Sequence, residues 1–460
     1  MAKRGSLSRG EKTLLWSVTV FVVVMGLFAC WWQWANTNPV VIVPTPAMPN
    51  PNARDFYIKA CSSFVPYPIA TPTVPYNLAF DQWSSKDADR IGTGPGIAKT
   101  YTANASSGTL IPSLAELQGL VRVNAPAFAM LRKGFQYEYR DTPSRSFNQL
   151  FPHYSKFRGM ARNLATSATA KRLSGDWNGA VNDLLDTLYL GQEVTHGAPL
   201  IGDLVGISIQ AIGRSDVWTM IDHLDAAQAR AAAKRMETIT AHHTPYADIL
   251  QEEEWGMQAS LMEVFHQPGW RKEMFSNFMG SNGNPGAQLP LLTVSKREIM
   301  DGYTKYMNAM IANAKLPYVG PKAALPQPKD PVTSAIAPVF DKAQFKDVIC
   351  QTQNHLLTVA FSLRAYDVEH GQYPKSLKEL VPSYLKAIPT DPFTNSASLS
   401  YGLVGKKYVL YSIGPDGQNN GGTASADGKK QPKNPGNKPG GLSWISNGST
   451  GDIVAGVNLH

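Results

Sequence analysis

Residues 362–422 read SLRAYDVEHGQYPKSLKELVPSYLKAIPTDPFTNSASLSYGLVGKKYVLYSIGPDGQNNGG, and this stretch decides how the C-terminal part of the chain folds. Apolar residues recur at helical spacing from Val348 to Ala365, so an amphipathic helix is predicted to lead into it. Gly371 and Pro374 are residues that typically end a helix, because glycine accepts left-handed backbone and proline cannot continue the hydrogen-bond pattern. The stretch therefore predicts a long helix with a defined end.

A small antiparallel sheet is predicted after that helix. The segments Leu399 to Tyr401 and Tyr408 to Tyr411 have the composition of strands, and Gly405-Lys406 between them suits a tight turn. Before them, Ser376 is expected to open a short helix, and Asp391 lies between two prolines in a predicted turn. The pattern predicts an α+β unit in which a hairpin packs on the long helix.

Four short motifs resemble the globular head of the major pseudopilin of type II secretion systems. They are Gly371-Gln372-Tyr373-Pro374, Asp391-Pro392-Phe393, Tyr411-Ser412-Ile413-Gly414-Pro415-Asp416-Gly417 and Asp452-Ile453. The resemblance covers residues 345–454 and implies a pseudopilin-like C-terminal domain. A pseudopilin carries its hydrophobic polymerisation helix directly before the head, whereas here the intervening residues 35–340 separate the two. We interpret the chain as a different protein that carries such a head.

The resemblance also implies a calcium site. In the family a glycine-rich loop binds Ca²⁺ through aspartates and backbone carbonyls, and the matching groups here are the Asp416 side chain, the Ile413 carbonyl and the Asp452 side chain, with Asp427 as an additional ligand. The alternative is an ordinary Asp-Gly turn that holds no metal. The inserted residues 429–438 contain four lysines, which lengthen the loop and repel cations.

The N-terminus predicts a membrane anchor. Residues 1–12 are basic, and residues 13–34 form an uncharged run of 22 residues, which is long enough to span a bilayer as a helix. The basic flank favours a cytoplasmic N-terminus, with tryptophans at the outer interface. We therefore expect a single-pass protein of the bacterial inner (cytoplasmic) membrane whose bulk lies on the periplasmic or outer side.

A lipid anchor is the alternative to a spanning helix. Leu27-Phe28-Ala29-Cys30 resembles a bacterial lipobox, in which the cysteine would carry the lipid. Both interpretations make the lipid bilayer a partner of this segment.

The remaining sequence predicts two domains with proline-rich connections. Residues 35–52 are expected to form a stiff spacer that lifts the next domain off the membrane, and residues 53–315 an irregular α-helical domain. Residues 316–340 are expected to be a second proline-rich linker, followed by the head over residues 341–460. The predicted fold class is thus a mainly α ectodomain plus an α+β pseudopilin-like domain, with one N-terminal transmembrane helix.

Within the helical domain, residues 160–195 predict a helical hairpin, because Ser174-Gly175-Asp176 suits the end of one helix and the cap of the next. The hairpin resembles a tetratricopeptide pair, but no 34-residue repeat follows. An apolar helix is predicted over residues 200–221, in which Gly206 and Gly213 would allow close helix contact.

One motif raises the question of a metal-assisted hydrolase. Glu263-Val264-Phe265-His266 has the Glu-x-x-His spacing of di-iron bundles, but a second copy is missing. Other acidic and imidazole side chains lie nearby in sequence, namely Glu252, Glu253, Glu254, His242 and His243. We favour a solvated acidic helix face with surface histidines. His196 and His223 stand alone in sequence and are expected to be ordinary surface or satisfied histidines.

Three cysteines are too few for a disulfide framework. Cys61 and Cys350 could pair in an oxidising compartment or remain two buried thiols, and both possibilities stay open. The net charge of +8 is not organised into a basic stripe with interleaved aromatic residues, so no nucleic-acid partner is expected.

We expect a non-catalytic binding or assembly role outside the cytoplasm, and therefore no enzyme. The resemblance implies proteins of a type II secretion or pilus-like system as partners. A metal-assisted hydrolase and a small-ligand-binding protein, each using the helical domain, are the rival hypotheses.

Overall fold

The computed structural model describes residues 9–65, 113–279, 293–319, 322–425 and 445–457. In chain order the helices are α1 (Arg9–Ala35), α2 (Ala53–Ser62), α3 (Leu114–Gly134), α4 (Pro152–Leu173), α5 (Trp177–Glu193), α6 (Leu200–Val217), α7 (Ala226–Ala241), α8 (Tyr246–Phe265), α9 (Trp270–Met279), α10 (Lys296–Ala314) and α11 (Pro331–His370). The strands are β1 (Ser400–Val404), β2 (Lys407–Ser412) and β3 (Ile453–Val454). The mainly helical class predicted from the sequence is confirmed over these ranges.

Helix α1 carries the predicted membrane segment. Its residues Thr13–Ala35 form a stretch of 23 residues, and an 18-residue window within it has a mean hydropathy of 2.3 and is not buried against the rest of the chain. A helix of this length and composition is apolar enough to cross a bilayer. The finding is consistent with single-pass anchoring.

The proline-rich segment after α1, which the sequence predicts to be a stiff spacer, lies against the helical domain. The Val41 amide donates to the Met262 sulfur at 3.3 Å, and the Pro44 carbonyl accepts a hydrogen bond from Arg145 at 3.2 Å. Val41 also packs on the core formed by α8 and α10. Because an extended chain exposes its carbonyls and side chains along its length, neighbouring helices bind it, and it does not lift the domain away from α1.

The helical hairpin predicted around Gly175 is confirmed by α4 and α5. Gly175 has a φ of 80°, and the Asp176 side chain accepts the Gly179 amide at the start of α5. Helix α6 then crosses α5 closely: a Cβ on Gly213 would lie 2.8 Å from the Leu184 carbonyl oxygen. Glycine at this crossing therefore lets the two backbones approach each other.

Helix α11 contributes residues to all three hydrophobic cores of the described structure. It begins at Pro331, inside the range predicted as a linker, because Asp330 caps it and proline is well tolerated in the first helical turn. Gly371, with a φ of 69°, ends it as predicted. Its first half contributes Val332 and Phe340 to the core of α8 and α10.

The second half of α11 lies between two further cores. Phe361 and neighbouring residues pack with α7 and the α4–α6 helices, whereas Leu363 and its neighbours face the sheet. The predicted head therefore shares its long helix with the helical domain, because opposite faces of one helix are both apolar.

The sheet has the order β1-β2-β3 with both pairs antiparallel. The predicted hairpin is confirmed, with Val404 paired to Lys407 across the Gly405-Lys406 turn. The short 3₁₀ helix Leu377–Leu380 follows Ser376, which forms a capping box with Glu379.

Candidate functional site

A cleft of ≈ 640 Å³ lies between the segment 135–140, the C-terminal end of α5, the end of α7 and α8. We call it the aromatic cleft, because five aromatic rings contribute to its wall: Phe135, Tyr137, Tyr139, Tyr189 and Trp255. Two histidines and four carboxylates also line it, namely His196, His242, Glu138, Glu193, Asp248 and Glu252. This combination of aromatic and ionisable side chains makes it the candidate binding site.

Glu193, the last residue of α5, is the centre of the polar side of the cleft. Its side chain is 5% exposed, with Oε1 3.5 Å from His242 Nδ1 and 4.0 Å from His196 Nδ1. Tyr189, one turn earlier on α5, bonds to the same carboxylate through its side chain. The end of α5 and the end of α7 thus bring a carboxyl, a phenol and two imidazoles together.

One member of this group, Glu193, has a pKa near neutrality. Burial, assisted by the charge of Glu138, raises the pKa of Glu193 to about 7 although the Tyr189 hydrogen bond opposes the shift. Burial also lowers the pKa of His196, and the charges of His242 and His243 add to that effect. The group can therefore exchange a proton with a ligand at ordinary pH.

Tyr139 supplies an unused hydrogen-bond donor. Its side chain is buried, and its hydroxyl has no partner among the described residues. Burial, together with the Asp141 charge, raises the pKa of Tyr139 far above its usual value, so the hydroxyl keeps its proton. A buried polar group without a partner is costly, so this hydroxyl lowers the stability of the fold behind the cleft wall.

The carboxylates of the cleft outnumber its cations. Glu252 is neutralised, because Arg140 and Arg145 lie 2.8 Å and 3.3 Å from its two oxygens. Among the described residues neither Glu138 nor Asp248 has an ion-pair partner, and both are exposed at the rim. The cleft is therefore electronegative as well as aromatic.

The predicted calcium ligands lie elsewhere, in the loop between β2 and β3. Asp416 and Asp452 are brought near one another by Asn420: its side-chain amide donates to Asp416 Oδ2 at 3.3 Å, and its backbone amide donates to Asp452 Oδ1 at 3.1 Å. Ile413 lies beside them and donates its amide to Asp391 at 2.9 Å. Asp427 lies outside the described residues.

The carboxylates of this loop already accept N–H groups. Asp416 accepts from the Gln418 and Gly451 amides at 3.0 Å and 2.9 Å, and Asp452 accepts from the Gly422 amide at 2.7 Å. Across the ranges described, no set of three or more His, Cys, Asp or Glu side chains is arranged to hold a metal ion. The hydrogen bonds as they stand stabilise the loop without a cation, and calcium binding stays a prediction.

The Glu-x-x-His motif does not form a cluster. Glu263 and His266 are exposed, and the His266 ring bonds to the Met262 carbonyl of its own helix. The predicted solvated acidic face is wrong for Glu252 and Glu254, which are 5% and 4% exposed. Arginines from the segment before α4 cover Glu252, and periodicity within α8 could not reveal them.

The other histidines and the cysteines have separate roles. His223 stacks on Trp177, and the half-buried His243 has its Nε2 2.9 Å from the buried Asp347. Cys61 and Cys350 are both free thiols: the first donates to the Lys156 carbonyl, and the second lies in the buried polar cluster of Arg214.

Sequence reasoning treated His196 as isolated and did not single out Tyr139, Tyr189 or Glu193. The two imidazoles of the cleft are 46 positions apart in the numbering, His196 and His242, and only tertiary packing brings them together. A carboxylate at the end of an otherwise apolar helix face was the available signal. No protein-family model, curated protein or solved structure matches the chain.

Proposed function

We propose that this chain is a membrane-anchored protein whose folded part lies on the periplasmic or outer side of the membrane and binds a small ligand in the aromatic cleft. The observation that carries the proposal is the aromatic cleft itself, in which the buried Glu193 carboxyl shares a wall with five aromatic rings. The apolar helix α1 supports the anchoring, and the basic residues before it favour a cytoplasmic N-terminus.

The chemistry of the cleft favours a cationic ligand with an apolar body. Aromatic faces attract cations through their quadrupoles, and the unpaired carboxylates Glu138 and Asp248 add a negative field. Glu193 changes charge near neutrality, so it would strengthen binding of an amine as the pH rises. The proposed role of the cleft is binding, and the Glu263 and His266 pair of the rival hydrolase hypothesis does not converge in the described structure.

Calorimetry with the full chain in nanodiscs tests this function. The probes are choline and its uncharged isostere 3,3-dimethylbutan-1-ol, which fill the same volume. We expect choline to bind at least about tenfold more tightly, since a desolvated cation on an aromatic face contributes up to about 2 kcal/mol. Glu193→Gln should weaken choline binding. Equal affinities for the two probes, or none for either, would overturn the cationic-ligand proposal.

A Glu263→Gln variant is the matched control. Glu263 is exposed on α8 and does not line the cleft, so its loss removes the same charge without touching the site. We expect it to bind choline as the parent does. A loss equal to that of Glu193→Gln would show that net charge, and not the cleft, governs the affinity.

Assembly with a type II secretion or pilus-like system is the second candidate. It is supported by the motifs around Gly371, Asp391, Asp416 and Asp452 that resemble a pseudopilin head. Crosslinking the intact chain in its native membrane and identifying the captured proteins tests it. Recovery of secretin, pseudopilin or inner-membrane secretion components supports the assignment, and recovery of the chain alone contradicts it.

A further inference from the structure

Two helices begin next to the C-terminal end of α1, the helix that is predicted to span the membrane. Helix α9 begins with Trp270, and the Arg271 side chain lies 3.2 Å from Asn36 just after α1. Helix α10 begins with Lys296, and the Arg297 guanidinium donates to the Trp34 carbonyl at 3.2 Å. These contacts fix both helix starts at the level where α1 ends.

Four basic residues occupy the first turns of these helices: Arg271, Lys272, Lys296 and Arg297. We call them the juxtamembrane cationic cluster. Positive side chains at a helix N-terminus run against the helix dipole, which favours anions there. Both helix starts thus add positive potential to the positive side chains, and an anion bound there would be stabilised.

The cationic charge is incompletely neutralised within the protein. In the described structure, neither Lys296 nor Arg297 is paired with a carboxylate; Lys296 bonds to Asn38 and to the Phe265 carbonyl, each at 2.6 Å. Burial and the neighbouring Arg271 charge lower the pKa of Lys296, as expected where positive groups crowd together. Glu273 and Glu298 follow in the same helices, so the first turns contain four basic and two acidic residues.

The surroundings indicate where the anion comes from. The Arg297 guanidinium lies 4.4 Å from the Trp34 ring, and Trp34 and Trp31 are 56% and 49% exposed. Tryptophans at the end of an apolar helix lie at the level of lipid headgroups. The charged groups at that depth are lipid phosphates.

We propose that the juxtamembrane cationic cluster binds the phosphate groups of anionic lipids in the leaflet where α1 leaves the membrane. Lys272 is exposed and the other three side chains are half-buried. The fold therefore holds the charges of these three side chains in fixed positions. The contacts from Arg297 to Trp34 and from Arg271 to Asn36 tie the cluster to α1, so headgroup binding would orient the folded part against the bilayer. This inference is independent of the ligand in the aromatic cleft.

The test uses the full chain in micelles of detergent with equal amounts of phosphatidylglycerol and phosphatidylcholine. Native mass spectrometry measures the ratio of the two lipids that stay bound. We expect the parent to prefer phosphatidylglycerol, and a Lys272→Gln, Lys296→Gln, Arg297→Gln variant to lose at least about fivefold of that preference, since each basic group near an anionic surface changes binding by about that factor. Added salt should reduce the parent's preference.

Two controls separate charge from structure. A Lys272→Arg, Lys296→Arg, Arg297→Lys variant keeps every charge, and a Lys375→Gln, Lys378→Gln, Lys406→Gln variant removes three exposed charges from the C-terminal unit. We expect both to keep the lipid preference. The proposal is overturned if the neutral cluster variant still prefers phosphatidylglycerol, or if the charge-retaining variant loses the preference equally.

Discussion

Arg230 of α7 and Glu369 of α11 form a two-point ion pair, with Nε 2.8 Å from Oε1 and Nη2 2.5 Å from Oε2. The same guanidinium donates to the Ser383 carbonyl at 2.6 Å and lies 3.8 Å from the Tyr384 ring. Since Ser383 and Tyr384 follow α11, this one side chain fastens the helical domain to the start of the C-terminal unit.

Arg230→Ala should lower the free energy of unfolding by about 1 kcal/mol, the upper end for a partly exposed pair. The hydrogen bond from Arg230 lowers the pKa of Glu369 to about 2. Because the folded pKa lies below the ordinary value, the contribution is present above that ordinary value and is lost as pH falls towards 2. Denaturant unfolding of the full chain in detergent at pH 7 and pH 2 measures it. Lys234→Ala, an exposed change on the same helix, should have no comparable effect.

Glu193→Gln should stabilise the protein at pH 8 and leave it unchanged near pH 4. Burial raises the pKa of Glu193 from an ordinary 4.5 to about 7, so the folded state holds a proton that the unfolded state releases between these values. Stability is therefore lost as pH rises through this window, by at most roughly 3 kcal/mol. Unfolding curves at several pH values for both proteins provide the measurement. A constant difference at all pH values would show that the group does not titrate as described.

Gly213→Ala should destabilise the α5–α6 crossing by roughly 1 to 3 kcal/mol, because the added methyl group would meet the Leu184 carbonyl oxygen at 2.8 Å. Gly119→Ala is the matched control, since a Cβ there meets nothing within 4 Å. In the middle of α3 the control should be neutral or stabilise by up to about 1 kcal/mol. Thermal unfolding distinguishes the two, and equal melting temperatures would contradict the close crossing.

Asp391→Ala should destabilise the C-terminal unit by about 3 kcal/mol. The buried carboxylate accepts the Phe393 and Ile413 amides at 3.0 Å and 2.9 Å and the Ser412 hydroxyl at 2.7 Å, and the change leaves these donors unsatisfied. Hydrogen exchange of β2 amides in the full chain reports the loss locally. A change in exchange spread evenly over the helical domain would argue against this role.

Calcium should raise the melting temperature of the full chain if the resemblance to pseudopilin heads extends to the loop of Asp416 and Asp452. Asp416→Asn should abolish that shift, because it removes a charged oxygen ligand while keeping the side chain's size. Magnesium serves as the comparison ion, since it demands a tighter octahedral geometry. Identical melting with and without calcium would show that the hydrogen bonds around Asn420 are the whole of the loop's stabilisation.

The local elements followed from local sequence. Gly371 and the Gly405-Lys406 turn end and join elements by their own backbone preferences, so helix and hairpin were predictable there. The start of α11 could not be predicted from the sequence, because Asp330 and Pro331 lie in a run of prolines that is equally typical of a linker. The aromatic cleft could not be predicted from the sequence, since Tyr139, Glu193 and His242 come together only when α5, α7 and the segment before α4 pack.

Helix α11 has a mechanical consequence. Its 40 residues span about 60 Å at the usual rise per residue, and opposite faces belong to different cores. A force applied to the sheet would be transmitted to α7, α8 and α10 through one continuous helix, without a flexible linker in between. Since α10 contacts the end of α1, tension at the sheet would be transmitted to the apolar helix α1.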